Sequence, residues 1–473
     1  MNISFVRIAP FYDEPRQHPQ DRMWPIPTLY AATMLRERGF EAHLLDTWVH
    51  TWPIERIVDW IRDHRSDLVF LDGMTQTAET VNDLVKRIAG HLPDALIWGM
   101  GQHATSIPDQ LFSGAGFDGL LMAEPEGAAI DVCEAYRAGK PIDASIPGIA
   151  FATGGGGQFE TSPARPLVDE LDDYPPIDHS LLDLDPYIIV SSHVKTIRKL
   201  RWGFLLTSRG CPYPCIYCSQ TLRQTFGRAF RAMSPVRVVD DMERQERDCG
   251  INAIFIEDDV FTFDMDRARS ICDEYIRRDL GVKWVCQTRG DALDADLVDR
   301  MKRAGCAGVT FGVESGSDRV LKVLKKKETS EEMLEGARLV KKAGLALTCY
   351  YMIGNPTETK TEALETLALA KQIGSHVIQC AFFTPYPGSP FYEDVKNDIE
   401  DNLGNLSHYN SLRFNYSEIP EAELFSLQRR FYLEYLLSPK QIWRYLTHRA
   451  PYAIINNNEL GLISDSLRFF ASS

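Results

Sequence analysis

The chain has 473 residues, of which 44% are hydrophobic and 25% charged, the composition of a folded protein with more than one core. It is not that of a disordered, collagen-like or multispanning chain. A formal net charge of -15 sets long-range electrostatics against a polyanion and argues against sequence-independent nucleic-acid binding.

The basic run from Lys322 to Lys327 reads as the solvated face of a helix. The first residues, MNISFVRIAPFY, lack a basic-then-apolar leader, and no apolar run reaches the roughly 20 residues of a membrane span. The expectation is a cytoplasmic protein. Ten cysteines are few for this length, and three crowd between Cys211 and Cys218. That favours a metal or catalytic cluster in a reduced compartment over a disulfide framework.

Apolar runs at 3–8, 42–45, 68–71, 96–98 and 119–122 alternate with helical patterns such as TLYAATMLRERG and VNDLVKRIAGH. They predict a Rossmann-like, doubly wound parallel sheet over residues 1–145. Residues 146–195, with the GGGG turn and PARPLVDELDDYPPIDHS, read as a linker without a core of its own. A second alternation fills 196–395, with strand candidates at 203–208, 253–257, 283–288, 307–313, 346–352 and 377–383. Six such units predict a partial TIM-type (β/α)6 barrel with its chemistry at the C-terminal strand ends. Residues 396–473 turn helical and aromatic, as in LFSLQRRFYLEYLLSPKQIWRYL, and read as a packed C-terminal helical region.

Directly after the first strand of the second alternation comes SRGCPYPCIYC, which spaces Cys211, Cys215 and Cys218 by three and then two residues. Thiolates are soft ligands suited to iron-sulfur clusters or zinc. Structural zinc and ferredoxin-type sites take four ligands, and no fourth lies nearby. Three ligands leave one iron of a cubane open, as a catalytic site requires. The alternative is a zinc knuckle completed by a remote residue such as Cys249 or Cys306; the other seven cysteines read as buried thiols.

The triplet resembles the hallmark of the radical S-adenosylmethionine (SAM) superfamily, a resemblance covering about residues 202–390. It implies a 4Fe-4S cluster on Cys211, Cys215 and Cys218 whose open iron is chelated by SAM. Cleavage of SAM then yields a 5'-deoxyadenosyl radical, with an electron donor such as flavodoxin or ferredoxin. Further positions follow the same resemblance. Tyr217 holds the aromatic place near adenine. In IFIEDDVF, Glu257, Asp258 and Asp259 fall where the family approaches the SAM amino group, with Asp258 the candidate contact. Gln287 and Arg289 of WVCQTRGD end the third strand, the guanidinium suited to the SAM carboxylate. Glu314 and Ser315 of FGVESGS suit the ribose hydroxyls and the amino group, and Gly354, with Pro356 and Glu358 in GNPTE, shapes the loop beside adenine. Each polar residue alone reads better as a satisfied strand-end charge or turn, but together, at successive strand ends behind the cysteine triplet, they favour a cofactor site.

The first half resembles the cobalamin-binding radical SAM group. WGMGQHATSIPDQLF supplies Gly99, Gly101, His103, Thr105, Pro108 and Asp109. MAEPEGA keeps the acids Glu124 and Glu126 but has Ala123 and Pro125 in glycine positions. The resemblance implies cobalamin at the C-terminal sheet edge, where small residues leave a crevice. Thr75 and Thr77 would bond its tail, and His103 would shape the loop or touch the tail rather than ligate cobalt. No GxGxxG follows the first strand, which disfavours a dinucleotide. The alternative is a domain that has kept this fold and lost its ligand.

Together these resemblances imply a methyltransferase acting on an unactivated carbon of a small metabolite through a 5'-deoxyadenosyl radical and methylcobalamin. A non-methylating cyclisation, rearrangement or oxidation with the same cofactors is the second reading. An iron-sulfur redox sensor or binding protein is the third. The substrate pocket is expected among the loops, with Tyr409, Arg413, Tyr416 and Trp443 as candidate lining.

Overall fold

A computed structural model describes residues 1–9, 22–50, 52–154, 157–189, 193–194, 199–218, 225–399, 412 and 414–444. In the first half, strands β1 (Asn2–Arg7), β2 (Glu41–Asp46), β3 (Leu68–Asp72), β4 (Leu96–Met100) and β5 (Gly119–Leu121) run parallel in the order β2-β1-β3-β4-β5. Helices cover both faces, so successive residues in each strand are buried on opposite sides. Phe5, Phe70 and Trp98 enter one core, and Val6, Val69, Leu71 and Ile97 the other. The chain changes direction across the sheet between β1 and β3, and the ends of those strands form the crevice that doubly wound sheets use for ligands.

The residues read as a linker do more than connect. β6 (Ile149–Ala152) and β7 (Phe159–Thr161) add to β5 in antiparallel fashion and extend the sheet to seven strands. Tyr187 is fully buried, and its hydroxyl donates to Asp46 Oδ2 at 2.6 Å.

The second sheet contains β8 (Ile188–Ile189), β9 (Leu200–Leu205), β12 (Ala253–Ile256), β13 (Lys283–Thr288), β14 (Cys306–Glu314), β15 (Ala346–Ile353) and β16 (Val377–Phe382). A separate two-stranded ribbon, β10 (Ser208–Arg209) with β11 (Arg231–Ala232), flanks the cysteine segment. Six of the larger sheet's strands are parallel and neighbour one another in chain order, with β8 antiparallel at one edge, giving a curled half-barrel. Its helices start where the sequence supplies an acceptor: Ser234, Asp264, Asp294, Ser317, Thr329 and Thr359 each cap a helix N-terminus through the side chain.

Gly203 of β9 leaves room for Gln245 of the helix Pro235–Cys249, which identifies the outer face. The next residue, Phe204, and its partner Phe255 therefore lie on the inner face. By the same register that face carries one row across the sheet, Gln287, Thr310 and Thr348, with Glu257 just past the end of β12. The helix Glu421–Leu436 covers the β16 edge: Gln428 Nε2 donates to Cys380 O at 2.8 Å, and Tyr432 Oη accepts from Cys380 N at 2.8 Å. Among the described residues no helix is long and apolar enough to cross a membrane.

Candidate active site

The root of the cysteine segment is set by a buried carboxylate. Asp258, fully buried at the end of β12, accepts from Thr207 N and Oγ1 (2.6 Å each), Ser208 N (3.1 Å) and Ser208 Oγ (2.6 Å). The expected contact with the SAM amino group gives way to this role, because its oxygens are already committed to the turn that leads into the cysteines. Gly210 follows with φ +87°, and a Cβ there would stand 2.1 Å from Ala229 O, so only glycine fits.

Beyond Gly210 the segment is pinned from both sides. Ile216 N donates to Leu324 O at 3.0 Å, and Phe391 N donates to Ile216 O at 3.1 Å. Ile216 itself packs with Val320, Leu324, Met352 and Phe383. Cys215 is buried, Cys211 and Cys218 are partly exposed, and none is in a disulfide. Three thiols on one braced turn at a strand end fit the donor chemistry of a cubane with an open corner. Among the described residues no three potential ligands converge as a single metal ion would need; a cubane does not ask for this, since each thiolate takes a separate iron.

Around this turn the expected SAM residues divide into two kinds. Tyr217 donates to Glu314 Oε1 at 3.1 Å, Lys326 Nζ lies 3.6 Å from the same oxygen, and Glu314 has φ +65°. A positive φ at a non-glycine residue is a sparsely populated conformation of the kind found at functional sites. Gln287 is partly exposed on the inner face of β13. Gly354 has φ +75°, and its N donates to Glu358 Oε2 at 2.7 Å, so Glu358 braces the GNPTE loop.

Arg289 and Ser315 are spent on architecture. Arg289 donates to both oxygens of Asp291 at 2.8 Å and to the carbonyls of Lys326 (2.9 Å) and Lys327 (2.8 Å), and it stacks under Tyr213 at 3.8 Å. Through Tyr213 it supports the cysteine turn, and these partners take up the guanidinium that the resemblance set against the SAM carboxylate. Ser315, fully buried, accepts from Ser317 N at 3.2 Å.

Across from this turn lies the C-terminal edge of the first sheet. Arg7 pairs with Asp46 (3.4 Å) and stacks on Trp48 (4.2 Å). The connection after β1 also reaches the second sheet, Trp24 packing on the inner-face Phe204 of β9 at 5.9 Å, so the ligand edge of the first sheet faces the half-barrel. Glu257 Oε1 is sealed from solvent without a hydrogen-bond partner, and burial pushes this carboxyl up to about 8 against the pull of Arg7.

The glycines read as a crevice are filled from within the protein. A Cβ at Gly99 would meet Leu120 at 2.5 Å, and one at Gly101 would meet Asp72 Oδ1 at 2.5 Å. Thr77 Oγ1 donates to Met74 O and accepts from Met74 N, both at 2.9 Å. Thr75 Oγ1 lies 3.4 Å from His103 Nδ1. The other ring nitrogen, His103 Nε2, is buried without a hydrogen-bond partner, an orphaned polar atom at the edge where a cofactor tail would run. Glu124, expected at the cobalamin, is held by Arg231 Nη2 at 2.6 Å and Arg209 Nη1 at 3.3 Å, both from the second half of the chain.

Burial pushes His103 down to about 4 from an ordinary 6.5, so it is neutral in the folded protein at neutral pH. The unfolded chain takes up this proton first as pH falls. Stability is therefore expected to drop between pH 6.5 and 4, by up to about 3 kcal/mol from this residue. Urea midpoints of wild type and His103→Gln across that range check it; the variant should lose less, and equal slopes would contradict the assignment.

Of the candidate substrate-lining residues, Tyr416 packs on Phe391 at 4.9 Å beside the cysteine turn, whereas Trp443 is 69% exposed. Tyr409 and Arg413 lie outside the described residues. Sequence reasoning passed over Arg209 and Arg231, and it read Lys326 as part of a solvated basic face, whereas this lysine is buried between Glu314 and Glu328. Only Arg209, two residues ahead of Cys211 in SRGC, carried a positional signal.

A braced thiol triplet facing the ligand edge of a doubly wound sheet fits an enzyme that sets a metal cluster against a second ligand-binding domain. Comparison with known proteins agrees: residues 205–370 match the radical SAM superfamily and residues 18–132 the B12 binding domain. An uncharacterized methyltransferase of Pyrococcus horikoshii is 27% identical over 88% of this chain and 88% of its own length. An anaerobic magnesium-protoporphyrin IX monomethyl ester cyclase of Cereibacter sphaeroides is 25% identical over 80% of this chain and 61% of its own length. Among solved structures, the radical SAM methyltransferase TsrM of Kitasatospora setae, with cobalamin and a 4Fe-4S cluster bound, shares the fold. It superposes with a TM-score of 0.68 over 84% of this chain and 75% of that one, at 19% identity. The chain belongs to the cobalamin-binding radical SAM enzymes, whose cofactors are a 4Fe-4S cluster, SAM and cobalamin.

Proposed function

We propose that the protein transfers a methyl group from SAM to an unactivated carbon of a small metabolite. The observation that carries this reading is the facing of the first sheet's ligand edge and the half-barrel's inner face, where Trp24 after β1 packs on Phe204 of β9 at 5.9 Å. A substrate held between them would meet both cofactors without leaving the site. When bound, the cluster and SAM supply hydrogen abstraction, and cobalamin supplies the methyl group. The chain's own part is to bind, orient and exclude water. The polar row Glu257, Gln287, Thr310 and Thr348 on the inner face offers hydrogen bonds to a substrate, while Phe204 and Phe255 close the floor beneath it.

We assign Tyr217, Glu314, Gln287 and Gly354 to the SAM side, and Thr75, Thr77 and His103 to the cobalamin tail. Cys211, Cys215 and Cys218 hold the cluster. The working setting is the reducing cytoplasm, with a flavodoxin- or ferredoxin-like donor supplying the electron. The relatives' names support methyl transfer in two cases and a cyclisation in the third.

Methyl-labelled SAM separates these outcomes. The anaerobically reconstituted protein, given cobalamin, a strong reductant and the small-molecule pool of its host, should form 5'-deoxyadenosine and place label in a metabolite. Formation of 5'-deoxyadenosine with no label leaving SAM would replace methyl transfer by a non-methylating reaction.

A further inference from the structure

Four charged side chains meet in a buried network between the two halves of the chain. Arg209, Arg231, Glu124 and Glu126 are each less than a tenth exposed. Arg209 Nη2 donates to Glu126 Oε1 at 2.6 Å, and Arg209 Nη1 donates to Tyr174 Oη at 3.1 Å. Arg231 Nη2 reaches Glu124 Oε1 at 2.6 Å and also donates to Phe226 O at 2.8 Å.

Three features make this more than an ordinary interface. First, Arg209 and Arg231 stand directly opposite each other in the ribbon of β10 and β11. Like charges in that register repel, so the ribbon is unfavourable by itself and needs the two glutamates to form. Second, both glutamates come from the other half. Glu124 is the N-cap residue of the helix Pro125–Arg137, directly after β5, and Glu126 lies in that helix's first turn, where the helix dipole favours a carboxylate. Third, the ribbon carries the cysteine segment: Arg209 is followed by Gly210, whose conformation admits no side chain, and then by Cys211.

Burying these three ion pairs adds little stability over an apolar contact of the same size. What it does add is geometry: Arg231 grips both oxygens of Glu124, at 2.6 and 3.3 Å, while Arg209 reaches Glu126 Oε1, Glu124 Oε1 and Tyr174 Oη together, a set met only in a narrow range of positions. We propose that Arg209 is a positioning residue: its pairing with Glu126, beside the Arg231–Glu124 pair, orders the cluster-bearing turn only when the cobalamin half is docked, and so fixes the cluster relative to the corrin. The inference rests on the presence of both cofactors and not on methyl transfer. Failure of the labelling experiment leaves it standing, and its own failure leaves that reading untouched.

The test uses the full chain loaded with cluster and cobalamin. Iron, sulfide and corrin contents are measured, and the magnetic relaxation that the reduced cluster imposes on cob(II)alamin is read by electron paramagnetic resonance, a signal steep in distance. Glu126→Gln and Arg209→Lys are compared with wild type. The expected result is full corrin loading with a weakened, broadened relaxation effect; selective loss of the cluster from an otherwise folded, corrin-loaded variant supports the proposal equally. Fully loaded variants with wild-type relaxation would overturn it. Equal loss of both cofactors from both variants would also overturn it, since that marks a general folding role.

Discussion

Alanine at Cys211, Cys215 or Cys218 should reduce formation of 5'-deoxyadenosine to the level seen without protein, while cobalamin binding persists. Each thiolate holds a separate iron, and two thiolates on a short turn cannot retain the cubane against solvent. The turn itself should survive. Its backbone is fixed through Ile216 to Leu324 and Phe391, and its apolar anchor is Ile216 rather than any cysteine. Exchanging a part-exposed cysteine such as Cys211 or Cys218 for alanine removes little buried surface. The separation is therefore clean: iron and the brown absorbance are lost, corrin content and the unfolding transition are kept. An alanine variant that lacks iron and still cleaves SAM, or wild type that holds zinc in place of iron, would refute the coordination scheme.

Much of this architecture is legible in the residues because local pattern and tertiary burial agree. The parallel strands sit on apolar runs buried on both faces, and the half-barrel helices begin at acids and hydroxyl residues placed to cap them. The strands β6 and β7 escaped notice because they are short and separated by a glycine run, which reads as a turn at either end.

The site was only half legible for a different reason. A polar residue at a strand end announces that it needs partners but not which ones. Arg289 and Glu124 carry the residue types that a cofactor site wants, yet Arg289 is consumed by the neighbouring Asp291 and the carbonyls of Lys326 and Lys327, and Glu124 by Arg209 and Arg231, distant in sequence. Gly99 and Gly101 signal close approach correctly, but what approaches is Leu120 and Asp72. The Arg209–Glu126 pair spans 83 positions of chain, and only the folded sheet ends bring such residues together.

Asp258→Ala should destabilise the barrel half by about 3–5 kcal/mol, the usual cost of removing one partner from a buried charged network. The carboxylate accepts two backbone amides and two hydroxyls from Thr207 and Ser208, and Arg267 lies 4.0 Å away. Alanine would leave all four donors buried without an acceptor and the guanidinium without its nearest carboxylate. Asn at the same place keeps one carbonyl oxygen but turns an amide donor towards donors, so it should fall between alanine and wild type. Chemical denaturation of the apo protein, followed by the buried Trp284 of β13, reads the effect where no SAM is present. A residue whose task was to hold the SAM amino group would leave that transition unmoved and raise only the requirement for SAM. If Asp258→Ala unfolds with the wild-type midpoint, the turn into the cysteines is held by something other than this carboxylate.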